Sequence, residues 1–247
     1  MTKPDRAAAV FDDLAAECDQ LDAILAALEP DVWERLSAAS GWTIADVVLH
    51  LAQTDEAVVA SVAGDMSSPT GASVDTVMDD LVAGERGAPG DKVLERWRTS
   101  YKAALGALRG CPPGERLQWV ASTLSAPALA TTRIAEHWAH ALDITEPLGL
   151  GYPDTDRLRH VAWLGHRTLP YAFAVAGEQG GPVRCELTGP SGEVWRFGDA
   201  DAPSVITGTA GEFCRVGAQR LAAKDSSLTT EGPYGAAALR VLRNYAA

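Results

Sequence analysis

The chain lacks the features that mark a nucleic-acid-binding or a membrane protein. It has 21 Lys and Arg against 33 Asp and Glu, so the formal net charge is −12 and clustered positive charge for a phosphate backbone is missing. No run of about eighteen apolar residues is free of charges, and the N-terminus lacks the pattern of a secretory signal. We therefore expect a cytoplasmic protein that binds neither nucleic acid nor membrane.

Cysteine is scarce, and its positions exclude two kinds of site. The four cysteines are scattered and contain no C-x-x-C, so neither a zinc knuckle nor a disulfide framework is indicated. Cys18 lies in an apolar series of helical spacing, where a thiol packs as a small hydrophobe. The nucleophile elbow, the Walker loop and the dinucleotide-binding glycine motif are also missing.

The residue pattern that is present changes near residue 180. Before that point, apolar residues recur at helical spacing between short polar breaks, which predicts an antiparallel helical bundle over residues 1–178. Beyond it, alternating residues and turn signals predict a small α+β domain over residues 179–247. The fold class is therefore α followed by a small mixed α/β domain.

The predicted elements follow from these periods and breaks. Helices are predicted at residues 11–28, 44–62, 74–83, 91–108, 131–145, 157–176, 209–222 and 234–245. Strands are predicted at residues 183–188 and 194–197, which would pair as a hairpin, and near residue 228. Thr43 and Asp46 resemble a capping pair at the start of the second helix.

Three residues could together hold a metal ion. Glu136 and His140 are four residues apart in a predicted helix, so their side chains project from one face. His50 lies in another predicted helix, at the margin of an apolar stripe, where a partly buried imidazole needs a partner. Three protein ligands with an open position are typical of a catalytic metal site.

The helix that carries the pair leaves other interpretations open. Arg133, Glu136, His140 and Asp143 could form a solvated face, with Arg133 and Glu136 as an ion pair. His137 and His140, three residues apart, could also chelate a metal. Asp143 could orient His140 through the free ring nitrogen, bind substrate, or be a plain surface carboxylate.

Three stretches of the chain resemble one known family. GWTIADVVLHLA, RIAEHWAHALDI and the late segment GPSGEVWRFGDADAPSVITGTAGEFCRVGAQR are similar to the mycothiol-dependent maleylpyruvate isomerase family, whose N-terminal part is a DinB-like bundle. The resemblance implies a divalent metal held by His50, Glu136 and His140, and it selects Glu136 over His137. Zinc is the metal we expect from the resemblance, with nickel or iron as alternatives. Arg220 matches an arginine that the family places near the active site.

The resemblance also implies a function. A metal with open positions lowers the pKa of a thiol, so that the thiolate exists at neutral pH. We expect mycothiol as the thiol cosubstrate and an electrophilic small molecule as substrate, in a cis–trans isomerisation or an S-transfer. Arg220 and Asp143 are the expected catalytic residues, and Arg220 could hold a carboxylate of substrate or thiol in a forked contact. Monomer and homodimer are both open.

Two other classes of function fit parts of the pattern. A set of two histidines and one carboxylate also occurs in non-haem iron oxygenases, but their ligands normally come from a β framework, and the first half of this chain shows little strand pattern. A bundle that binds a metal or a small molecule without turnover is the second alternative.

Overall fold

The structure, a computed structural model, describes residues 3–66, 74–120 and 122–244, and their side chains from residue 9 onward except at 74 and 75. Contacts divide the chain into two compact units between Tyr152 and Pro153. The first unit is mostly helical and the second combines helices with a sheet. This confirms the predicted fold class.

The first unit is a bundle in which α2 packs on α4 and α1 on α5. Its helices are α1 (Lys3–Leu25), α2 (Ile44–Ala63), α3 (Val74–Glu85), α4 (Gly90–Gly110) and α5 (Ala126–Thr145). All five were predicted, although the ends differ by up to eight residues, the largest difference being at the start of α1. The predicted start of α5 at residue 131 was late, because Ser125 caps the helix by accepting from the backbone N–H of Ala128.

Helix α2, which carries His50, begins at a capping box. The Thr43 hydroxyl accepts from the Asp46 N–H at 3.1 Å, and the Asp46 carboxylate accepts from the Thr43 N–H at 2.9 Å. The helix ends at Gly64, which adopts a left-handed conformation with a φ of 80°. Its backbone N–H donates to the carbonyls of Ala60 and Ser61 in the last turn. The predicted capping pair is confirmed.

A short hairpin precedes α5 and was not predicted. Strands β1 (Leu117–Trp119) and β2 (Ser122–Leu124) pair antiparallel, with Leu117 opposite Leu124. Three-residue strands are too short for alternation to be visible, and the turn contains Val120 at φ 47°, where Asn or Gly is the usual signal.

The second unit is built on a four-stranded sheet in the order β4-β3-β5-β6. Its elements are α6 (Leu158–Ala176), β3 (Val183–Thr188), β4 (Val194–Phe197), β5 (Ser204–Thr209), α7 (Ala210–Gly217), β6 (Thr229–Glu231) and α8 (Gly235–Val241). Strands β3 and β4 form the predicted hairpin, and β5 runs parallel to β3. Helix α7 is shorter than predicted, because Gln219 adopts the left-handed conformation that ends a helix.

Helix α6 belongs to the second compact unit, whereas the sequence assigns it to the bundle. It packs on α7 and α8, so the contacts divide the chain before it rather than after it. The boundary at residue 178 marks the change from helical to mixed pattern. As a boundary between independently folding domains, it stays a prediction.

Among the described residues, no helix combines the length and the apolar content that a membrane span requires.

The cysteines are free, and three of them are buried. Cys18, Cys185 and Cys214 expose 1% or less of their surface, which confirms the core position predicted for Cys18. Burial raises the pKa of each of these thiols, that of Cys185 to about 12. Cys111 is the partly accessible one.

Loss of the cap should weaken α2. We expect Thr43→Ala to lower the free energy of unfolding by about 1 kcal/mol, because the Asp46 N–H loses its acceptor. Thr43→Ser keeps the hydroxyl and serves as the control. Urea unfolding followed by circular dichroism measures the difference; equal stability of the two variants would contradict the capping role.

Thiol accessibility follows from the same burial. Because only an accessible thiolate reacts quickly, we expect Ellman's reagent at pH 8 to label one thiol in the folded protein and all four in denaturant. Cys111→Ser should reduce the folded count to zero. Rapid labelling of that variant would show that a buried thiol is exposed.

Candidate metal centre

The structure brings together the three residues that the sequence singled out. His50 lies on α2, and Glu136 and His140 lie one turn apart on α5. The two helices run antiparallel, since His50 faces residues late in α5 whereas Asp55, further along α2, faces the earlier Arg133. Residues more than eighty positions apart in the chain therefore meet at one point.

The donor atoms are spaced as metal ligands are. Glu136 Oε2 lies 3.7 Å from His50 Nε2 and 3.5 Å from His140 Nε2, and the three donor atoms lie within 4.8 Å of one another. Metal–ligand bonds of about 2.0–2.2 Å in tetrahedral geometry separate two donors by about 3.4 Å. The residues present therefore fit a divalent cation bound through two imidazole nitrogens and one carboxylate oxygen.

The three side chains differ in their protonation. Burial lowers the pKa of His50, which favours the neutral imidazole. Burial opposes ionisation of Glu136, but its contacts with His140 and His50 hold the pKa of the carboxyl well below its usual range. Burial also opposes protonation of His140, yet the Asp143 and Glu136 carboxylates raise its pKa above the ordinary value. A proton on His140 therefore competes with a metal for Nε2.

Asp143 holds the ring of His140 from behind. Its Oδ2 lies 2.9 Å from His140 Nδ1, and its side chain is 3% exposed. A carboxylate here favours a proton on Nδ1 and leaves Nε2 directed at Glu136. The structure thus excludes the interpretation of Asp143 as a surface carboxylate, while its function stays a prediction.

Trp42 forms one wall of the site. Its ring lies 5.1 Å from that of His50 and stacks at 6.4 Å on that of His140. The indole N–H donates to Asp79 of α3 at 2.9 Å. His50 Nδ1 is buried without a hydrogen-bond partner among the described residues, and the ring packs against Trp42 on one side.

The structure contradicts the sequence interpretation in which one face of α5 is solvated. Arg133 is 1% exposed and pairs with Asp55, so the solvated face and the Arg133–Glu136 pair were wrong. His137 is fully buried, and its Nε2 lies 3.2 Å from Asp55 rather than among the three converging donors. The apolar periodicity predicted a solvated face because it assumes that polar residues face solvent, whereas α5 is buried on much of its polar side as well as on its apolar side.

Arg220 belongs to the second unit. It follows α7 and is partly buried, and its Nη1 donates to the Ala218 carbonyl at 2.6 Å. Its role near the metal ligands stays a prediction.

Comparisons with known proteins point to one family. Residues 14–145 match the family described as the mycothiol maleylpyruvate isomerase N-terminal domain, a stretch that includes all three candidate ligands. An uncharacterized protein found in two strains of Mycobacterium tuberculosis is 38% identical over 217 residues, which cover 85% of this chain and 84% of the relative.

Solved structures show the same fold. Crystal structures of the mycothiol-dependent maleylpyruvate isomerase, one of them of a histidine-to-alanine mutant, match with a TM-score of 0.61 at 17% identity. The match covers 93% of this chain and 95% of theirs.

The carboxylate of Asp143 should strengthen metal binding. We expect Asp143→Asn to weaken zinc affinity about 10- to 100-fold, because the ring of His140 exchanges a charged carboxylate acceptor for a weaker, neutral amide oxygen. Competition with a chromogenic chelator measures the affinity. Asp65→Asn, at an exposed position, is the control and should bind like the wild type; unchanged affinity of Asp143→Asn would contradict the orienting role.

Proposed function

The chain belongs to the mycothiol maleylpyruvate isomerase family, and on that premise we propose that it is a metal-dependent enzyme that uses mycothiol to act on an electrophilic small molecule. The reaction is a cis–trans isomerisation or an S-transfer. The convergence of His50, Glu136 and His140 on one point is the observation that carries this proposal.

These three side chains would hold the cation. Two imidazoles and one carboxylate suit zinc, with nickel or iron as alternatives, and three protein ligands leave a position open. When bound, the cation would act as a Lewis acid and lower the pKa of a thiol. The donor set contains no thiolate of the protein itself, which is consistent with a thiol arriving as cosubstrate.

The chain's own residues prepare this site for neutral pH. Asp143 orients His140 through Nδ1 and so directs Nε2 towards Glu136, although a proton on His140 competes with a cation for Nε2. Glu136 stays ionised and His50 stays neutral, so neither has to lose a proton before it can bind a cation. Trp42 covers the two imidazoles on one side and limits the access of water there.

The proposed chemistry is conjugate addition. The thiolate sulfur bonds to one carbon of a cis double bond conjugated to a carbonyl, and the π electron pair moves onto the carbonyl oxygen. The former double bond is now single and rotates. Isomerisation is complete when the electron pair returns and expels the thiolate; if a proton is taken up at carbon instead, the sulfur stays on the product. Maleylpyruvate is the first substrate to test.

Arg220 is the residue we propose for substrate binding. Its guanidinium can hold a carboxylate with two parallel hydrogen bonds, as a planar fork of donors allows. The carboxylate would belong to the substrate or to the thiol.

We also propose a cytoplasmic location. The reaction needs a reduced thiol, and the four cysteines of the chain are free, as is usual in a reducing compartment.

Turnover with purified components tests the function. The metal-loaded protein should convert maleylpyruvate, in the presence of mycothiol, into the trans isomer or a thiol adduct. Chromatography and mass spectrometry identify the product. His50→Ala removes one of three donors, so it should lose both the metal and the activity. Tight thiol binding without product in the metal-loaded protein would favour the non-catalytic binding bundle. Full metal occupancy in His50→Ala would show the ligand assignment to be wrong.

A further inference from the structure

A second cluster of charged side chains lies between α2 and α5, one turn from the candidate ligands. Arg133 is 1% exposed, Asp55 2% and His137 0%. None of the three is among the converging donors of the metal centre. The cluster therefore needs a separate explanation.

Arg133 joins α5 to two consecutive residues of α2. Its Nε donates to Asp55 Oδ1 at 3.0 Å, and its Nη2 donates to the Thr54 hydroxyl at 2.8 Å. The Thr54 hydroxyl in turn donates to the His50 carbonyl at 2.9 Å. A chain of two hydrogen bonds thus connects Arg133 to the backbone of a metal-ligand residue.

Asp55 is contacted from two levels of α5. Oδ1 accepts from Arg133, and Oδ2 lies 3.2 Å from His137 Nε2, one turn further along the helix, without a hydrogen bond between them. His137 Nε2 accepts from the Trp97 indole N–H of α4 instead. His137 Nδ1 also donates to the Arg133 carbonyl at 2.8 Å. Asp55 is therefore bonded to α5 through Arg133 and lies against His137 one turn further along.

The spacing of the cluster relates it to the ligands. Arg133 precedes Glu136 by three residues, and Asp55 follows His50 by five. A slip of one residue between the helices would shift one ligand set by about 1.5 Å along the axis and turn it by about 100°. Metal–ligand distances tolerate about 0.2 Å.

Overall stability does not explain why charged groups occupy this place. Removing a guanidinium and a carboxylate from water costs several kcal/mol per ion, and apolar side chains of similar volume often join two helices at least as well. What a guanidinium bonded to both Asp55 and Thr54 adds is a defined register, because its planar donors reach the two acceptors only in one relative placement.

We propose, on the premise that the site binds a divalent cation as described above, that Arg133 and Asp55 are positioning residues of the metal centre. They hold α2 and α5 in the register at which His50 meets Glu136 and His140. They act on metal affinity through the ligands and touch neither cation nor substrate.

A double variant without the Asp55–Arg133 ion pair tests this. Asp55→Leu with Arg133→Met removes both ions and keeps apolar volume, so the fold should survive. Thr54 keeps its bond to the His50 carbonyl. We expect zinc affinity to fall about 10-fold or more, because removing a residue that hydrogen-bonds to a metal ligand commonly has an effect of this size. The visible absorption of the cobalt-loaded protein should change in position and intensity, since it reports coordination geometry.

The control is another ion pair between helices, one that is partly exposed rather than buried. Arg98 of α4 pairs with Asp22 of α1 at 2.7 Å, away from the ligand-bearing pair of helices. Asp22→Leu with Arg98→Met should leave zinc affinity and the cobalt spectrum unchanged. If this control lost as much zinc affinity as the Asp55–Arg133 double variant, the effect would come from general destabilisation of the bundle, and the proposal would be overturned.

Arg133→Lys is the second test and does not depend on the double variant folding. It keeps a buried positive charge but replaces the rigid fork by an ammonium whose donors rotate, so Asp55 and Thr54 are no longer held in one relative placement. Its zinc affinity should also fall several-fold.

The outcomes separate the two proposals. A folded double variant, or Arg133→Lys, with wild-type affinity and cobalt spectrum would overturn the positioning role and leave the proposed function intact. Failure of the wild-type protein to bind any divalent cation would instead remove the proposed function, and the positioning role with it.

Discussion

The packing of α2 against α5 is the constraint on which the site depends. Each helix alone supplies an incomplete set of donors: His50 on one, Glu136 and His140 on the other. The 3.5 Å between Glu136 Oε2 and His140 Nε2 follows from α5 alone, whereas only a fixed register between the helices brings the same oxygen to 3.7 Å from His50 Nε2. Because a metal tolerates little variation in these distances, the helix interface has to be more sharply defined than a core of apolar side chains requires.

Helix α5 meets this demand by burying polar residues on several sides. Arg133 and His137 face α2 and the core, Glu136 and His140 face the donor cluster, and Asp143 lies behind His140. Each buried charge has an opposite charge or a hydrogen-bonding partner close by, which offsets the desolvation it suffers. One helix therefore contributes the ligands, the group that orients one of them, and the contacts that hold the helix in place.

The sequence predicted the helices of the first unit well, because their apolar stripes repeat over several turns and α2 starts at a capping box. It predicted the second hairpin from its alternation. It missed the β1–β2 hairpin, whose strands are three residues long and whose turn carries Val120 instead of the usual turn residues. Helix ends were displaced wherever a cap such as Ser125, or a left-handed residue such as Gln219, set the boundary.

For the site, the sequence by itself determined the pair: the helical period places Glu136 and His140 on one face whatever surrounds them. His50 joined them through its place at the edge of an apolar stripe and through a family resemblance. The tertiary structure decided the rest, namely that His137 turns to Asp55 and that Arg133 is buried in an ion pair. Spacing within a helix is fixed by local backbone geometry, whereas contacts between helices distant in sequence depend on how the whole bundle packs, which no local pattern encodes.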